Sequence, residues 1–367
     1  MGAAAMNQKL RIGTRKGLFI FERTGHGQWR CSEPDFLGDP VSMALRDPRN
    51  GDQYTALNLG HFGVKLHRAE PGSREWKEIE PPKFPKSGEE DGPAVELIWE
   101  LVPGGADQPA TLWAGTIPGG LFKSTDRGEN WTLIDSLWRR PERENWFGGG
   151  YDKPGIHSIC VHPNNTRCVR LAISCGGVWE SLDAGDTWAQ TGQGLRAAFL
   201  PPDQAYNPVS QDPHRMVSCP ASPDHMWIQH HNGVFRSEDG GHSWTELTDV
   251  SPSVFGFAVA VHPQDPNTAW FAPAIKDERR VPVDAKLIIN RTRDGGKSFT
   301  ALSNGLPQGP AYDLTYRHSL DVDDSGDLLA FGSTTGGLWV SEDQGDHWQC
   351  LSAHLPPIYV VRFDKQF

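Results

Sequence analysis

Residues 124–131 read STDRGENW, and this stretch decides the fold because its pattern returns four more times along the chain. The pattern is Ser/Thr-x-Asp-x-Gly-x-x-Trp/Phe, and its other copies are SLDAGDTW at 181–188, SEDGGHSW at 237–244, TRDGGKSF at 292–299 and SEDQGDHW at 341–348. Successive copies begin 57, 56, 55 and 49 residues apart. A near-constant period of this length is typical of a repeat architecture.

Each copy contains the residues of a tight turn between two short strands. The Asp can accept backbone N–H groups, the Gly can take a positive φ, and the aromatic residue can pack between neighbouring units. A turn glycine and a short apolar strand precede four of the copies, as GLF at 120–122, GVW at 177–179, GVF at 233–235 and GLW at 337–339. Two more apolar strands come earlier in each unit. The repeat therefore predicts a four-stranded unit, which is the sheet of a propeller blade.

The repeated residues resemble the Asp-box, or BNR, repeat of sialidases, xyloglucanases, sortilin-type receptors and photosystem assembly factors. The resemblance covers nearly the whole chain and implies a glycosyl-hydrolase-like propeller, but one architecture hosts many activities. The Arg-Ile-Pro motif of sialidases is absent, since residues 11–13 read RIG. The resemblance therefore does not imply a true sialidase. It is also partial for xyloglucanases, which use two such propellers around a cleft and act outside the cell.

Counting the units predicts the number of blades. Residues 11–29 read as an incomplete unit that lacks its first strand, residues 41–79 as a complete unit with a degenerate repeat turn, and five units carry the motif. Residues 358–363, IYVVRF, form one more strand without a unit of its own. We therefore predict an all-β, seven-bladed β-propeller with four-stranded antiparallel blades, closed by the C-terminal strand joining the N-terminal blade. The alternative is six blades, the sialidase number. Residues 1–8 are predicted to be a tail, and 9–367 a single domain.

Composition and charge narrow the class of protein. The 367 residues include 40 Gly, 29 Pro and 14 Trp, which fits many turns between short strands. The net charge is −11 and no basic stripe is present, which excludes nucleic acid as the expected partner. No apolar run approaches the roughly 18 residues of a membrane helix, and the first residues have no apolar signal segment. The six cysteines lack CxxC spacing, so we expect free thiols and a cytoplasmic protein.

The strand order indicates which residues share an end of the ring. In a four-stranded meander, the start of the first strand and the turn between the second and third strands lie at one end, and the repeat turns lie at the other. The first end, here called the funnel face, is predicted to carry His61, His157, His230, His231 and His318, with His214 nearby. The opposite face carries His162, His225, His242, His262 and His347 in ordinary turn positions, where no role is expected.

Neutral imidazoles converging from several blades suit a divalent transition metal such as Zn or Mn. The predicted metal ligands are His61, His157, His231, His318 and Glu96, with Glu100 as another oxygen ligand or a partner of the ligands. Without a metal, the same residues would serve as general acid and base. The opposing interpretation is that 14 histidines place a few near any face by chance.

Cations and aromatic residues also map to the funnel face. A local positive charge on an acidic protein indicates an anionic ligand such as a carboxylate. The predicted substrate-binding residues are Arg15, Lys276, Arg280 and Trp146, and the predicted catalytic residues are His157, His231, Arg317 and Tyr151. The opposing interpretation is solvated loop charge, partly neutralised by Asp277 and Glu278, with aromatic residues that only cover the ring centre.

Three functions are compatible with these residues. The first is an intracellular hydrolase or lyase acting on a small anionic carbohydrate or related acid, similar in architecture and residue type to seven-bladed propeller lyases whose histidines hold a metal beside a uronate. The second is a metal-free glycoside hydrolase with paired carboxylates, for which Glu96, Asp152 and Asp212 are candidates. The third is a non-catalytic binding or assembly propeller. In the enzyme hypotheses the partner is a small molecule, and no hypothesis involves nucleic acid or a membrane.

Overall fold

The computed structural model describes residues 8–86 and 92–366, so residues 1–7 of the predicted tail lie outside the described part. The described chain forms 28 strands in seven four-stranded antiparallel sheets. This confirms the predicted seven-bladed β-propeller. None of the helices in these residues is long and apolar enough to cross a membrane.

The strands follow the repeat along the chain. The first blade contains β1 (Lys9–Thr14), β2 (Gly17–Gly25) and β3 (Gln28–Cys31). The second contains β4 (Val41–Arg46), β5 (Gln53–Asn58), β6 (Val64–Ala69) and β7 (Lys77–Ile79). The third contains β8 (Leu97–Pro103), β9 (Leu112–Ile117), β10 (Leu121–Ser124) and β11 (Thr132–Leu133). Blades four and five contain β12 (Gly155–Val161), β13 (Val169–Ser174), β14 (Gly177–Ser181) and β15 (Ala189–Thr191); and β16 (Pro213–Cys219), β17 (Ser222–His230), β18 (Gly233–Ser237) and β19 (Thr245–Leu247). The sixth blade contains β20 (Gly256–Val261), β21 (Ala269–Pro273), β22 (Ile289–Thr292) and β23 (Thr300–Leu302). The seventh contains β24 (Leu320–Val322), β25 (Leu329–Gly332), β26 (Leu338–Ser341) and β27 (Gln349–Ser352). The last strand is β28 (Ile358–Phe363).

Short helical segments lie only in the connections. They are α1 (Asp135–Trp138) and the 3-10 turns Gly60–Phe62, Pro141–Asn145, Pro208–Ser210 and Val283–Ala285.

The C-terminal strand closes the ring, as the unpaired IYVVRF segment predicts. β28 pairs with β1 in the first blade, with Leu10 opposite Phe363 and Ile12 opposite Val361. Just beyond this strand, Arg11 Nε donates to Asp364 Oδ1 at 2.5 Å. The first strands of the seven blades contact one another in an unbroken ring, in the order β28, β4, β8, β12, β16, β20 and β24. The ring therefore has no open sheet edge between its first and last blades.

Large aromatic side chains fill the space between blades. Trp113, Trp179, Trp227 and Trp270 are fully buried. Two of them also make a hydrogen bond into the following blade, where Trp227 Nε1 donates to the Pro266 carbonyl at 3.0 Å and Trp270 Nε1 donates to the Gln344 carbonyl at 3.0 Å. Burying these rings stabilises each blade against the next, and the hydrogen bonds of Trp227 and Trp270 add to it.

The repeat turn is held by its own side chains. In the third copy, Asp239 Oδ1 accepts from the Ser243 backbone N–H at 2.9 Å and from Ser237 Oγ at 2.8 Å. Ser237 Oγ in turn accepts from the Gly241 backbone N–H at 2.9 Å. Gly241 has a φ of 86°, which an L side chain rarely adopts. The motif is therefore a turn-forming device.

We expect Asp239→Ala to lower the free energy of unfolding by about 1–2 kcal/mol, because it removes the acceptor of three hydrogen bonds, the third from Ser243 Oγ to Oδ2. Thermal and urea unfolding measure this loss. The neighbouring Glu238→Ala is the control, since the Glu238 side chain is 63% exposed and its described contact is an ion pair with the partly buried Arg236, so the change should cost less than about 1 kcal/mol. Ligand affinity at the funnel face should not change in either variant. A ligand that loses affinity in Asp239→Ala would contradict the assignment of the two faces.

Candidate functional site

A cavity opens at the funnel face and has two connected compartments. The larger has a volume of about 710 Å³ and the smaller about 230 Å³. Both are lined by Gly150, Phe257, Arg280 and Arg317, which mark their common boundary. The larger compartment is rich in aromatic residues, namely Phe62, Trp99, Tyr151, Phe257, Tyr316 and Tyr359. Many lining residues come from the starts of first strands and from the turns between second and third strands, as the strand order predicts.

Arg317 lies at the boundary of the compartments without an anionic partner. Its residue is 7% exposed, and Nε is buried without a hydrogen-bond partner. Its guanidinium carbon lies 4.9 Å from the centre of the Trp99 ring and 5.3 Å from that of Phe257. Within residues 8–86 and 92–366, no carboxylate is close enough to form an ion pair with it. Burial lowers the pKa of Arg317, yet a guanidinium stays protonated in proteins. Asp212 is a nearby opposite charge but is too far away for a direct ion pair, so the guanidinium donors remain available to an anion.

Beside Arg317, one carboxylate and two imidazoles converge on the smaller compartment. Asp212 immediately precedes β16, His214 is the second residue of that strand, and His231 follows β17. Asp212 Oδ2 lies 3.6 Å from His214 Nε2 and 3.3 Å from His231 Nδ1. Asp212 and His214 are buried, whereas the side chain of His231 is 24% exposed. In the described part of the chain, these three residues are the one group of His, Cys, Asp or Glu side chains whose potential metal-binding atoms all lie within 4.8 Å of one another.

The carboxylate of Asp212 is oriented by the neighbouring blade. Its Oδ1 atom accepts from the Cys175 backbone N–H at 3.2 Å and from Ser174 Oγ at 3.3 Å. Cys175 has a φ of 50°, an uncommon conformation for a residue other than glycine. Burial raises the pKa of Asp212, but His214, His231 and the charge of Arg317 outweigh it and hold the pKa well below its ordinary value. Asp212 is therefore ionised.

His214 is fixed in one orientation and one tautomer. Its Nδ1 atom lies 2.7 Å from the Gly256 carbonyl oxygen, so Nδ1 carries the proton that is donated. The ring stacks on Phe257 with centroids 4.5 Å apart and an interplanar angle of 12°. Burial lowers the pKa of His214, so the ring is neutral near pH 7. The Nε2 lone pair consequently points towards Asp212.

A glycine segment, residues 148–150, covers this cluster. A Cβ atom added at Gly149 would lie 3.3 Å from Asp212 Oδ2 and 3.1 Å from Cys175 Sγ. The loop backbone therefore packs directly over the carboxylate. The sequence shows three consecutive glycines in a long loop. The structure explains Gly149, because a side chain there would press against Asp212 and Cys175.

A second charged network adjoins the larger compartment through His318, and its carboxylate, Glu100, is paired. Glu100 is buried and contacts Arg215, Arg362 and His318; Arg362 Nη2 donates to Glu100 Oε1 at 3.1 Å and His318 Nε2 lies 3.4 Å from Glu100 Oε2. Burial raises the pKa of Glu100, but the two arginines hold it well below its ordinary value. His157, next to this network, is fully buried, and its Nε2 atom has no hydrogen-bond partner. This network ties the first strands of four blades together.

The structure does not bring the five predicted metal ligands together. His61 is an exposed residue on the rim with its ring against Phe62, and Glu96 forms an exposed ion pair with Lys153 at 2.5 Å. His157 and His318 lie in the channel, where His318 Nε2 is 2.9 Å from the His157 carbonyl oxygen. Of the predicted set, only His231 belongs to the cluster. The physical reason is that strand order fixes the end of the ring on which a residue lies, but not the position of its side chain along the channel.

The other predicted site residues divide between the cavity and its surroundings. Arg15 and Tyr151 line the larger compartment, and Arg280 lines both compartments. Burial raises the pKa of Tyr151. Lys276 is outside both compartments and pairs with Glu278 at 3.1 Å.

Trp146 is a correction to the predicted substrate-binding set. It is a core residue that is 7% exposed, with its ring 5.8 Å from that of Trp179. Of the predicted paired carboxylates, only Asp212 lines the cavity, because Glu96 and Asp152 lie outside both compartments.

Comparison with known proteins gives distant similarity. No family model matches the chain. The chain is 23% identical over 284 residues to a probable oligoxyloglucan-reducing end-specific xyloglucanase of Neosartorya fischeri, covering 70% of this chain and 32% of that protein. A xyloglucanase of Paenibacillus sp is 22% identical over 301 residues, 71% of this chain and 28% of that protein. The chain thus spans about a third of the length of the curated relatives it matches.

Among solved structures, the chain resembles an ancestral GH74 enzyme with a TM-score of 0.59 and 14% identity, over 84% of this chain and 38% of that one. It also resembles YCF48 from Cyanidioschyzon merolae with a TM-score of 0.55 and 12% identity, over 86% of this chain and 87% of that one. At these identities the likeness concerns the fold.

Proposed function

We propose that the protein is an enzyme of the hydrolase or lyase type that acts on a small anionic carbohydrate or a related organic acid in the funnel-face cavity. The observation that carries the proposal is Arg317, a buried guanidinium without an anionic partner at the boundary of both compartments. A carboxylate fits a guanidinium through two parallel charge-assisted hydrogen bonds. The acid group of the substrate therefore binds Arg317.

The smaller compartment supplies the groups for proton transfer. His231 is partly exposed to it, and Asp212 lies 3.3 Å from His231 Nδ1. An ionised carboxylate beside an imidazole orients the ring and stabilises its protonated form. His231 can then take a proton from water in a hydrolase, or from the carbon next to the bound carboxylate in a lyase. Both reactions place the acid group at Arg317.

The larger compartment supports a carbohydrate as the rest of the ligand. Its volume of about 710 Å³ exceeds what a single acid group fills, and its walls are aromatic. Aromatic faces pack against the apolar faces of sugar rings. The sequence similarity to xyloglucanases also supports a carbohydrate ligand.

The second candidate function is binding without catalysis. It is favoured by the large aromatic residues exposed around the funnel face, which are typical of interaction surfaces. They are Phe62, Phe147, Tyr151, Phe199, Tyr206 and Tyr312, exposed by 71, 40, 49, 43, 64 and 61%.

A cytoplasmic location is part of the first proposal. All six cysteines are free thiols, and Cys31 and Cys350 are exposed. Exposed free thiols are typical of a reducing compartment.

We expect the purified protein to cleave uronate-containing oligosaccharides and to leave the matched neutral oligosaccharides, including xyloglucan fragments, uncut. Product analysis by mass spectrometry and by reducing-end assay measures cleavage. A product with a new conjugated double bond, seen by ultraviolet absorbance, identifies a lyase, and a product with added water identifies a hydrolase. Cleavage of the neutral oligosaccharides at an equal or higher rate would refute an acidic substrate. Binding of the acids without any product would favour the non-catalytic alternative.

A further inference from the structure

Asp212, His214 and His231 bring three potential metal-binding atoms together with little direct hydrogen bonding between them. Asp212 Oδ2 lies 3.6 Å from His214 Nε2, which is beyond a hydrogen bond, and 3.3 Å from His231 Nδ1, which is a long contact. The three atoms therefore lie close together at the wall of a cavity, and the contacts among them are long.

The tautomer of His214 sharpens this observation. Because Nδ1 donates its proton to the Gly256 carbonyl at 2.7 Å, Nε2 of the neutral ring carries a lone pair and no hydrogen. Nε2 is therefore the ring nitrogen that remains available to a metal ion, and it is the nitrogen that lies 3.6 Å from Asp212 Oδ2.

The same distances fit three ligands of one metal ion. Metal–nitrogen and metal–oxygen bonds of about 2.0–2.2 Å at angles near 90–110° separate neighbouring ligand atoms by about 3.0–3.5 Å. The measured 3.3 and 3.6 Å lie within a few tenths of an ångström of this range. The three donor atoms of the cluster all lie within 4.8 Å of one another.

Neighbouring groups hold two of the three side chains in fixed orientations, as they do around metal ligands. The Gly256 carbonyl fixes the ring of His214, while the Cys175 backbone N–H and Ser174 Oγ hold the oxygen of Asp212 that does not face the cluster. Such outer contacts set the tautomer and the direction of metal ligands. A third ligand, His231, lies on the opening of the smaller compartment.

We propose that Asp212, His214 and His231 bind one divalent transition-metal ion whose open coordination positions face the smaller compartment. Two imidazoles and one carboxylate suit Zn²⁺, Mn²⁺, Fe²⁺ or Co²⁺, whereas Mg²⁺ and Ca²⁺ prefer oxygen ligands alone. Three protein ligands leave room for water or substrate, as in catalytic rather than structural sites. With the ion bound, His231 is a ligand and cannot act as the base, so that role would pass to water held by the ion. This catalytic use rests on the proposed function, whereas binding of the ion does not, because the ion needs no substrate.

The test is a titration of chelator-treated full-length protein with Co²⁺ alone, followed by visible absorbance and by calorimetry. We expect one equivalent to bind, Zn²⁺ to displace it, and Mg²⁺ to leave it in place. Asp212→Asn, His214→Gln and His231→Gln should each weaken binding on the order of 100-fold or more. The first two replacements keep an amide oxygen or N–H for the existing contacts, and His231 is partly exposed, so the variants should fold.

His61→Gln is the matched control, because His61 lies on the rim of the same funnel outside the cluster. Its Co²⁺ affinity should equal that of the unmodified protein. The inference is overturned if no stoichiometric ion binds, or if all three cluster variants bind it as well as the control. A protein that binds acids at Arg317 but no metal would refute the metal site alone. A protein that binds the metal but neither binds nor converts acids would refute the proposed function alone.

Discussion

Replacing Arg317 by methionine is expected to weaken the binding of uronates on the order of 100-fold, about 3 kcal/mol, because the paired charge-assisted hydrogen bonds to the carboxylate are lost. Arg317→Lys keeps the charge but not the fork of donors, so a loss of about tenfold is expected. Calorimetric titration with a uronate and its neutral sugar measures both effects. The affinity for the neutral sugar, where measurable, should change little.

The stability of the variant distinguishes a ligand-binding arginine from a structural one. Arg317 has no direct ion pair to lose, and relief from burying its charge offsets the loss of its longer-range attraction to Asp212, so Arg317→Met should melt close to the temperature of the unmodified protein when no ligand is bound. Lys276→Met is the matched control, because Lys276 is a cation of the same face outside the compartments. We expect it to change uronate affinity less than threefold. Equal losses of affinity in both variants would indicate that only the general charge of the face matters.

Removing residues 358–367 is expected to prevent folding of the whole ring. β28 buries Ile358, Val360, Val361 and Phe363, and burying four such side chains contributes about 6–12 kcal/mol. The entire free energy of unfolding of a domain is about 5–15 kcal/mol. The truncated protein should therefore lack a cooperative thermal transition in near-ultraviolet circular dichroism and elute as aggregate or expanded chain.

A shorter truncation controls for the loss of the terminus itself. Removing only residues 366–367 leaves β28 and the Arg11–Asp364 ion pair in place, and it should fold normally. A protein without residues 358–367 that kept the melting temperature of the full chain would contradict closure of the ring as the source of its stability.

The fold could be predicted because its determinants are local. The Asp of each repeat turn bonds to its own turn, as Asp239 does with Ser237 and Ser243, so five copies of the motif identify five blades without long-range information. The closing strand was recognisable because residues 358–363 are a strand with no unit of their own, and the first unit lacks one. The end of the ring that carries the cavity followed from the order of the strands alone.

The cluster of Asp212, His214 and His231 that we propose as a metal site could not be predicted, because it depends on the depth and direction of side chains. His157 and His318 share the correct end of the ring with His231, but they point into the channel beside Glu100. Asp212 ends an irregular loop, so no periodic pattern marked it. The sequence offered a partial signal, since Asp212 and His214 lie two residues apart where β16 begins, but the register of this strand is irregular between Pro213 and Arg215, so simple alternation does not give their directions. Trp146 was misassigned because a loop aromatic that covers the ring and one that binds a ligand look alike in sequence.

A crystal structure of the full-length protein with a bound uronate tests the central claim most directly. We predict that both carboxylate oxygens lie about 2.7–2.9 Å from guanidinium nitrogens of Arg317, with the sugar ring in the larger compartment against its aromatic walls. A uronate bound outside the funnel, or one whose carboxylate points away from an Arg317 that remains unpaired, would contradict the account.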